Sequence, residues 1–418
     1  MNLLPDNVES IDLSRQNLTF LPDLSRFYNL KKLDCSFNHL VSLPPLNPTL
    51  EFLKCDENIL TSLPPFTKNL THVECGFNNL IKLPSFNEKL ERLYCSNNNL
   101  ISLPAFNDTL MVVVCNDNHL TSLPAFNKNL VVISCYNNRI VILSSFNQKL
   151  AHVNCDNNLL TSLPMFNENL VLVYCSKNRL TSLPPFNANL ELINCNANNL
   201  TSLPPFNQQL RHMECKHNYL TSLPPLNANL EFLICKNNRL TSLPPLNECL
   251  QELCCCFNKI TSIPELNDNL RRLQCEGNLL KSLPPINYNL EYLYCSNNEL
   301  TSLPPLNTQL INLHCYNNNL NTLPLLPQSL KNIIYENNPI DFIIKPFDNL
   351  ERTKNRIQLL HNFRHLYYSL KFKKMFRVWL WVRVREPKIR EKYSTANLLN
   401  LLNNAKDDDE LDNLLKAW

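Results

Sequence analysis

The chain has 418 residues, 44% of them hydrophobic, so it carries enough apolar matter for a packed core and is not a disordered polymer. It contains only two glycines, Gly76 and Gly277, which excludes a glycine-rich phosphate loop, because such loops need several residues free to adopt positive φ. The formal net charge of +3 is unevenly spread: residues 1–349 carry a net −4, residues 350–392 a net +10 and residues 393–418 a net −3.

From the N-terminus, a 22-residue unit comes first, marked by Val8, Ile11, Leu13, Gln16, Leu18 and Leu21. From Leu30 onward the pattern L-x-x-L-x-C-x-x-N-x-L-x-x-L-P-x-L-N-x-x recurs every 20 residues up to the copy beginning at Leu330, giving 16 regular copies and 17 in all. The segment L-x-x-L-x-C ends on an apolar-polar alternation, which predicts a short strand with Leu and Cys pointing inward. Successive copies then pair as one parallel sheet, an arc about 80 Å long at ~4.8 Å per strand. The Leu-Pro pair predicts an extended, polyproline-like return: proline fixes its own φ and disfavours helix in the residue before it. One copy cannot bury its apolar face alone, so stability has to come from stacking.

These copies resemble the leucine-rich-repeat family, whose signature is L-x-x-L-x-L-x-x-N/C-x-L, over roughly residues 8–345, with Cys in place of the third Leu. The 20-residue length and the Leu-Pro pair are similar to the short bacterial subtype of type III secreted effectors, the closest copy being Leu323-Pro324-Leu325-Leu326-Pro327. The resemblance implies a leucine-rich-repeat solenoid with its parallel sheet on the concave face, an extended convex side, and binding of another macromolecule. The domains expected are a repeat domain over 1–345 and a basic helical segment over 346–418.

Fifteen of the 18 cysteines lie 20 residues apart, from Cys35 to Cys315. Side-by-side Cβ vectors are poor disulfide geometry, so they are read as small buried hydrophobes in a reducing compartment. The local cluster Cys249, Cys254, Cys255 and Cys256 lacks paired Cys-x-x-Cys spacing and a nearby His, so no metal or other cofactor is expected. Asn38 through Asn338, one per copy, are expected to satisfy backbone groups at a buried turn. A second set at Asn47, Asn87, Asn107 and onward to Asn307 is assigned to the opposite corner. The sequon Asn69-Leu70-Thr71 is expected to be unmodified. The nine histidines are scattered along the chain, and His361 and His365 lack a surrounding HExxH, so all are read as surface or packing residues.

The outward positions of each strand lie two and four residues after the first Leu. Many are apolar: Tyr94, Val112, Val114, Val132, Leu172, Tyr174, Leu192, Phe232, Ile234, Tyr292 and Tyr294. In-register stacking would place Val112 beside Val132, Leu172 beside Leu192 and Tyr94 beside Val114. Exposed apolar clusters with aromatic members mark contact surfaces, so these eleven are the candidate partner-binding residues. The charged outward residues Lys32, Asp34, Lys54, Glu74 and Arg92 are of mixed sign and do not form a groove for a polyanion.

After Asn338-Pro339-Ile340 the leucine rhythm stops. Leu359, Leu360, Phe363, Tyr367 and Leu370 fall at helical spacing, Pro387 is expected to break that helix, and a second is expected over about Thr395–Lys416. Trp379, Leu380 and Trp381 are candidates for capping the last coil. The cations Lys371, Lys373, Lys374, Arg377, Arg383 and Arg385 would suit nucleic acid or an acidic membrane. The stretch Phe376 to Ile389, with Tyr393 and the Asp- and Leu-rich end, resembles the C-terminal tail of leucine-rich-repeat proteins from giant amoeba-infecting DNA viruses. That resemblance implies a viral product in the host cytoplasm or in the particle. The start MNLLPDNVES has no apolar stretch of signal-peptide type, and no 18-residue apolar window occurs, so neither secretion nor a membrane span is expected. The bacterial effector subtype includes ubiquitin ligases with a catalytic Cys beyond the repeats; no cysteine follows Cys315, so catalysis and a small-molecule substrate are not expected. The expected function is a protein-protein interaction scaffold, with a nucleic-acid-associated protein and a structural particle component as the alternatives.

Overall fold

The computed structural model describes residues 5–342, 349–392 and 394–404. The chain forms two compact units, Met1–Phe347 and Asp348–Trp418. In the first, 17 three-residue strands build one parallel sheet: β1 (Ser10–Asp12), β2 (Lys32–Asp34), β3 (Phe52–Lys54), then one every 20 residues to β17 (Asn332–Ile334). Each strand pairs with its sequence neighbour in strict register, so Leu33 lies beside Leu53 and Leu53 beside Val73. The register follows from the period. A slip by one residue would turn every inward side chain to the other face.

Each coil buries the same rungs. Leu190, Ile193, Cys195 and Leu200 are fully buried, and so are their equivalents in the coils on either side. The ladder thiols point inward with them; Cys35 Sγ donates to the Lys54 carbonyl of the next coil at 3.4 Å. No disulfide joins cysteines among the described residues, and 17 of the 18 are buried, Cys249 being exposed. Backbone pairing runs past the strand on both sides: Cys35 N donates to Lys54 O at 2.8 Å after it, and Glu51 N to Lys31 O at 2.8 Å before it. Three-residue strands thus understate the ladder that holds the coils.

The two asparagine sets occupy opposite corners. Asn98 is buried and its Nδ2 donates to the carbonyls of Cys75, Cys95 and Ser96 at 3.0, 3.2 and 3.3 Å, while its Oδ1 accepts from Leu80 N at 2.9 Å. One side chain therefore closes its own turn and satisfies the coil before it, as buried backbone groups require. At the other corner Asn107 Nδ2 donates to the carbonyls of Asn87 and Leu90, and its Oδ1 accepts from Leu110 N at 3.0 Å. Between strand and buried Asn, one residue per regular coil takes left-handed φ of +50° to +64°, among them Phe37, Lys177 and His217. Glycine holds that position once, at Gly277. Asn is frequent there (Asn97, Asn137, Asn157), the residue that tolerates this region best after Gly.

The return of each regular coil is extended, with no helix on that side, as the Leu-Pro pairs predict. After β17 the pattern changes within the same unit: Tyr335 takes the Cys position and Ile340, in a 3₁₀ turn over Pro339–Phe342, takes the Leu position, both 2% exposed. Tyr335, larger than the Cys it replaces, fills the final coil.

In the second unit, α1 (Leu350–Leu380) starts at Asn349, whose side chain accepts from Arg352 N at 2.9 Å. The helical path does not stop at Pro387. It passes through a π turn (Trp381–Arg385) into α2 (Glu386–Lys392). A π turn widens the helix just where the proline ring would otherwise meet the carbonyl four residues back, which is why the expected break is absent. Trp379 and Trp381 are 54% and 51% exposed. The last described helix, α3, spans Thr395–Asn404; the rest of the expected second helix and the acids Asp407–Glu410 lie outside the described residues.

Candidate partner-binding face of the sheet

The strand pleat sends the middle residue inward and its two neighbours outward. All eleven candidate residues sit at those outward positions. Each is half-buried and not fully exposed, because strands packed side by side shield each other's side chains. The register partners are those expected: Tyr94 with Val114 between β5 (Arg92–Tyr94) and β6 (Val112–Val114), and Val112 with Val132 on β7 (Val132–Ser134). Leu172 and Leu192 pair between β9 (Leu172–Tyr174) and β10 (Leu192–Asn194). The stripe is not continuous. His152 and Asn154 on β8 separate the valine patch from the leucine patch, and Arg272 and Gln274 on β14 precede Tyr292 and Tyr294 on β15.

Four histidines belong to this face, His72, His152, His212 and His314, and three of them meet aromatic rings. His72 stacks on Phe52 at 4.8 Å and on Tyr94 at 5.6 Å. His212 stacks on Phe232 at 5.3 Å, and His314 meets Tyr294 edge-on at 4.6 Å. Burial pushes His72 and His314 below the ordinary imidazole value, so both favour the neutral form. Sequence reading left them as scattered residues, although position within the 20-residue period (72, 152 and 212 coincide) was the available signal.

Around these rings the charges are paired. Lys54 Nζ lies 3.3 Å from Glu74, and the Arg272 guanidinium sits 4.6 Å above the Tyr292 ring. The tightest cluster is centred on Glu214. It accepts from His212 Nε2 at 3.0 Å and from Asn196 Nδ2 at 2.7 Å, with Lys216 Nζ at 3.1 Å. The His212 bond, joined by Asn196 and Lys216, outweighs burial and holds the carboxyl down at about 2, against an ordinary 4.5. A carboxylate depressed by folding adds stability that is complete above its unfolded pKa and is lost as pH falls through the folded one. Urea midpoints should therefore fall as pH drops from about 4.5 towards 2, and Glu214→Gln should flatten that part of the profile. An unchanged acid slope in the variant would mean the cluster does not link folding to pH.

Next to the sheet, past the ends of β6 to β11, an open groove of about 720 Å³ is lined by Tyr136, Asn154, Asp156, Ser176, Lys177 and His217 among others. Burial lifts the Asp156 carboxyl above its ordinary value although Ser176 N–H donates to it. At the corner before the second asparagine set, eight phenylalanines from Phe66 to Phe206 stack ring on ring at 6.2–6.4 Å. Sequence reading passed over both the groove and this ladder. The ladder was visible as Phe at one fixed position of eight consecutive copies. Among the described residues no group of three or more His, Cys, Asp or Glu could hold a metal ion.

These coils define a leucine-rich-repeat solenoid with its parallel sheet on the concave face. The chain is similar to YopM of Yersinia enterocolitica, at 29% identity and a TM-score of 0.66 over 79% of this chain and 83% of that one. It is also similar to the functional domain of InlJ from Listeria monocytogenes, which includes a cysteine ladder, at 26% identity and 0.57 over 76% and 69%. The Toll–Spätzle complex of Drosophila shares the fold alone, at 18% and 0.59 over 75% and 51%. No family model matches the sequence, and no curated protein aligns with it. Solenoids of this fold are generally non-enzymatic protein-protein interaction scaffolds.

Proposed function

We propose that the concave sheet binds a protein partner through its aromatic and aliphatic patches: Tyr94 with Val112, Val114 and Val132; Leu172 and Leu192 with Tyr174; Phe232 with Ile234; and Tyr292 with Tyr294. The observation that carries this reading is the in-register pairing of these residues, which joins single side chains into patches flanked by stacked imidazoles. Such a surface is half-desolvated before binding, and aromatic anchors in that setting account for most interface energy. The Toll–Spätzle complex supports the reading as an instance of this fold engaging a protein. The tail sequence resembles that of giant amoeba-infecting viruses, which supports a viral product working in the host cytoplasm or carried in the particle. The +10 charge of residues 350–392 favours a second, anionic partner for the helical unit.

The test is capture of partners by the tagged full-length chain from nuclease-treated amoebal lysate, beside the double variant Tyr174→Asp, Ile234→Asp. Both residues are half-buried at outward positions, so the solenoid should still melt cooperatively. A protein retained by the natural chain and reduced at least tenfold on the variant is the expected result. Partners indifferent to these two changes, yet lost on deletion of residues 350–418, would move the function to the tail.

A further inference from the structure

The long helix of the second unit carries its apolar side chains on two opposed faces. Leu359, Phe363, Leu366 and Leu370 are spaced four, three and four residues apart and form one stripe. Phe372, Met375, Phe376 and Trp379, spaced three, one and three, form another. At 3.6 residues per turn Leu370 and Phe372 point about 160° apart, so the stripe changes sides between them. The second stripe is flanked and opposed by cations. Lys371 and Lys373 lie at its borders, and Arg377 points about 160° away from Trp379.

The second stripe is bare. Phe372 is 72% exposed, and Met375, Phe376, Trp379 and Val382 are all at least half exposed. Phe376 and Trp379 stack at 5.8 Å. An open groove of about 430 Å³ has Met375, Val378, Trp379 and Val382 as its apolar walls and Lys374 and Arg383 at its rims. No helix among the described residues is long and apolar enough to cross a membrane. Along the stretch Phe372–Trp379, with Phe372, Phe376 and Trp379 on one side and Lys374 and Arg377 on the other, the helix is suited to lie in the plane of a bilayer surface.

We propose that Lys371–Arg385 is a docking surface for a bilayer containing anionic phospholipid. Phe372, Phe376 and Trp379 enter the boundary between headgroups and acyl chains, while Lys371, Lys373 and Lys374 extend to the lipid phosphates. Charge complementarity selects this occupant. Residues 350–392 hold 13 Lys and Arg against three acids, so a second copy of the helix would be repelled. A nucleic acid would take the cations and leave the opposite aromatic face in water, whereas a bilayer surface takes both.

The three tryptophans, Trp379, Trp381 and Trp418, all lie beyond the repeats, so intrinsic tryptophan fluorescence of the full-length chain reports on the tail alone. Vesicles of phosphatidylcholine with about one-third phosphatidylserine should sediment the chain and shift its tryptophan emission to the blue; pure phosphatidylcholine should do neither. The double variants Phe372→Ser, Phe376→Ser and Lys373→Glu, Lys374→Glu should each weaken anionic-vesicle binding about tenfold or more, with solenoid melting unchanged. Three results would overturn the proposal. One is failure to bind the anionic vesicles. Another is binding that survives the aromatic variant, together with steeply salt-dependent capture of an RNA or DNA oligonucleotide, which would assign the cations to nucleic acid. The third is concentration-dependent dimerisation abolished by the aromatic variant, which would show that a second copy covers the stripe.

Discussion

Asn158→Ala should cost the solenoid about 3 kcal/mol or more, while Asn157→Ala, one residue earlier, should cost about 1 kcal/mol. Asn158 is 5% exposed and serves four backbone groups: its Nδ2 donates to the carbonyls of Cys135, Cys155 and Asp156 at 3.0, 3.2 and 3.1 Å, and its Oδ1 accepts from Ile140 N at 2.9 Å. Alanine leaves these groups buried with no replacement, and each orphaned group carries its full desolvation cost. Asn157 is exposed and at φ +50°, so its loss removes only a surface bond to Asn137 and the tolerance of Asn for that backbone region. Because coils stabilise only their neighbours, a defect at Asn158 should also divide the array. Urea unfolding should become broader or biphasic, and the Ile140 amide should lose its protection from hydrogen exchange. Equal losses for the two variants would mean that the buried asparagines are not the ties between coils.

The contrast between these adjacent asparagines shows what the sequence made legible. Asn158 was readable because every regular copy repeats it, and a residue fixed in 16 copies of one chain points to a role shared by all coils. The same logic gave the inward Leu and Cys, the parallel register and the extended Leu-Pro return. Asn157 carried no such mark. Its position is Phe in three coils, Lys in another and His in one more, so the left-handed turn is imposed by the coil closing around it. The sheet face was half legible. Outward positions followed from the pleat, but His72, His212 and His314 come together with their aromatic partners only across coils, at separations of about 20 residues. The tail was misread for a different reason. A proline rule written for α-helices expects a break at Pro387, and the π turn before it removes the clash on which that rule rests.

Thiol labelling should separate the cysteines into three kinetic classes in the native protein, with differences of orders of magnitude. Cys249, exposed, should react first. Cys254 should follow. Its side chain is hydrogen-bonded with that of Cys256 at 3.9 Å, and this bond, with Lys236 nearby, holds Cys254 below the ordinary thiol value, although it is only 5% exposed. The ladder should barely react. Burial pushes Cys35 and Cys115 up to about 12 and raises Cys155, Cys175 and Cys215 as well, and all five are fully buried. At pH 8 a thiol with pKa 12 is about one part in ten thousand thiolate, and the thiolate is the nucleophile. Contact with reagent then requires a coil to open. The end coils, β1 and β17, have one neighbour where inner coils have two, and Cys35 and Cys315 lie in the coils next to them, so these two should label before Cys175 and Cys195. Time-resolved mass spectrometry of maleimide adducts, peptide by peptide, reads this order directly. Fast labelling of the central rungs without urea would mean that the coils open independently of one another, and that the stacked thiols, asparagines and phenylalanines do not act as one cooperative column.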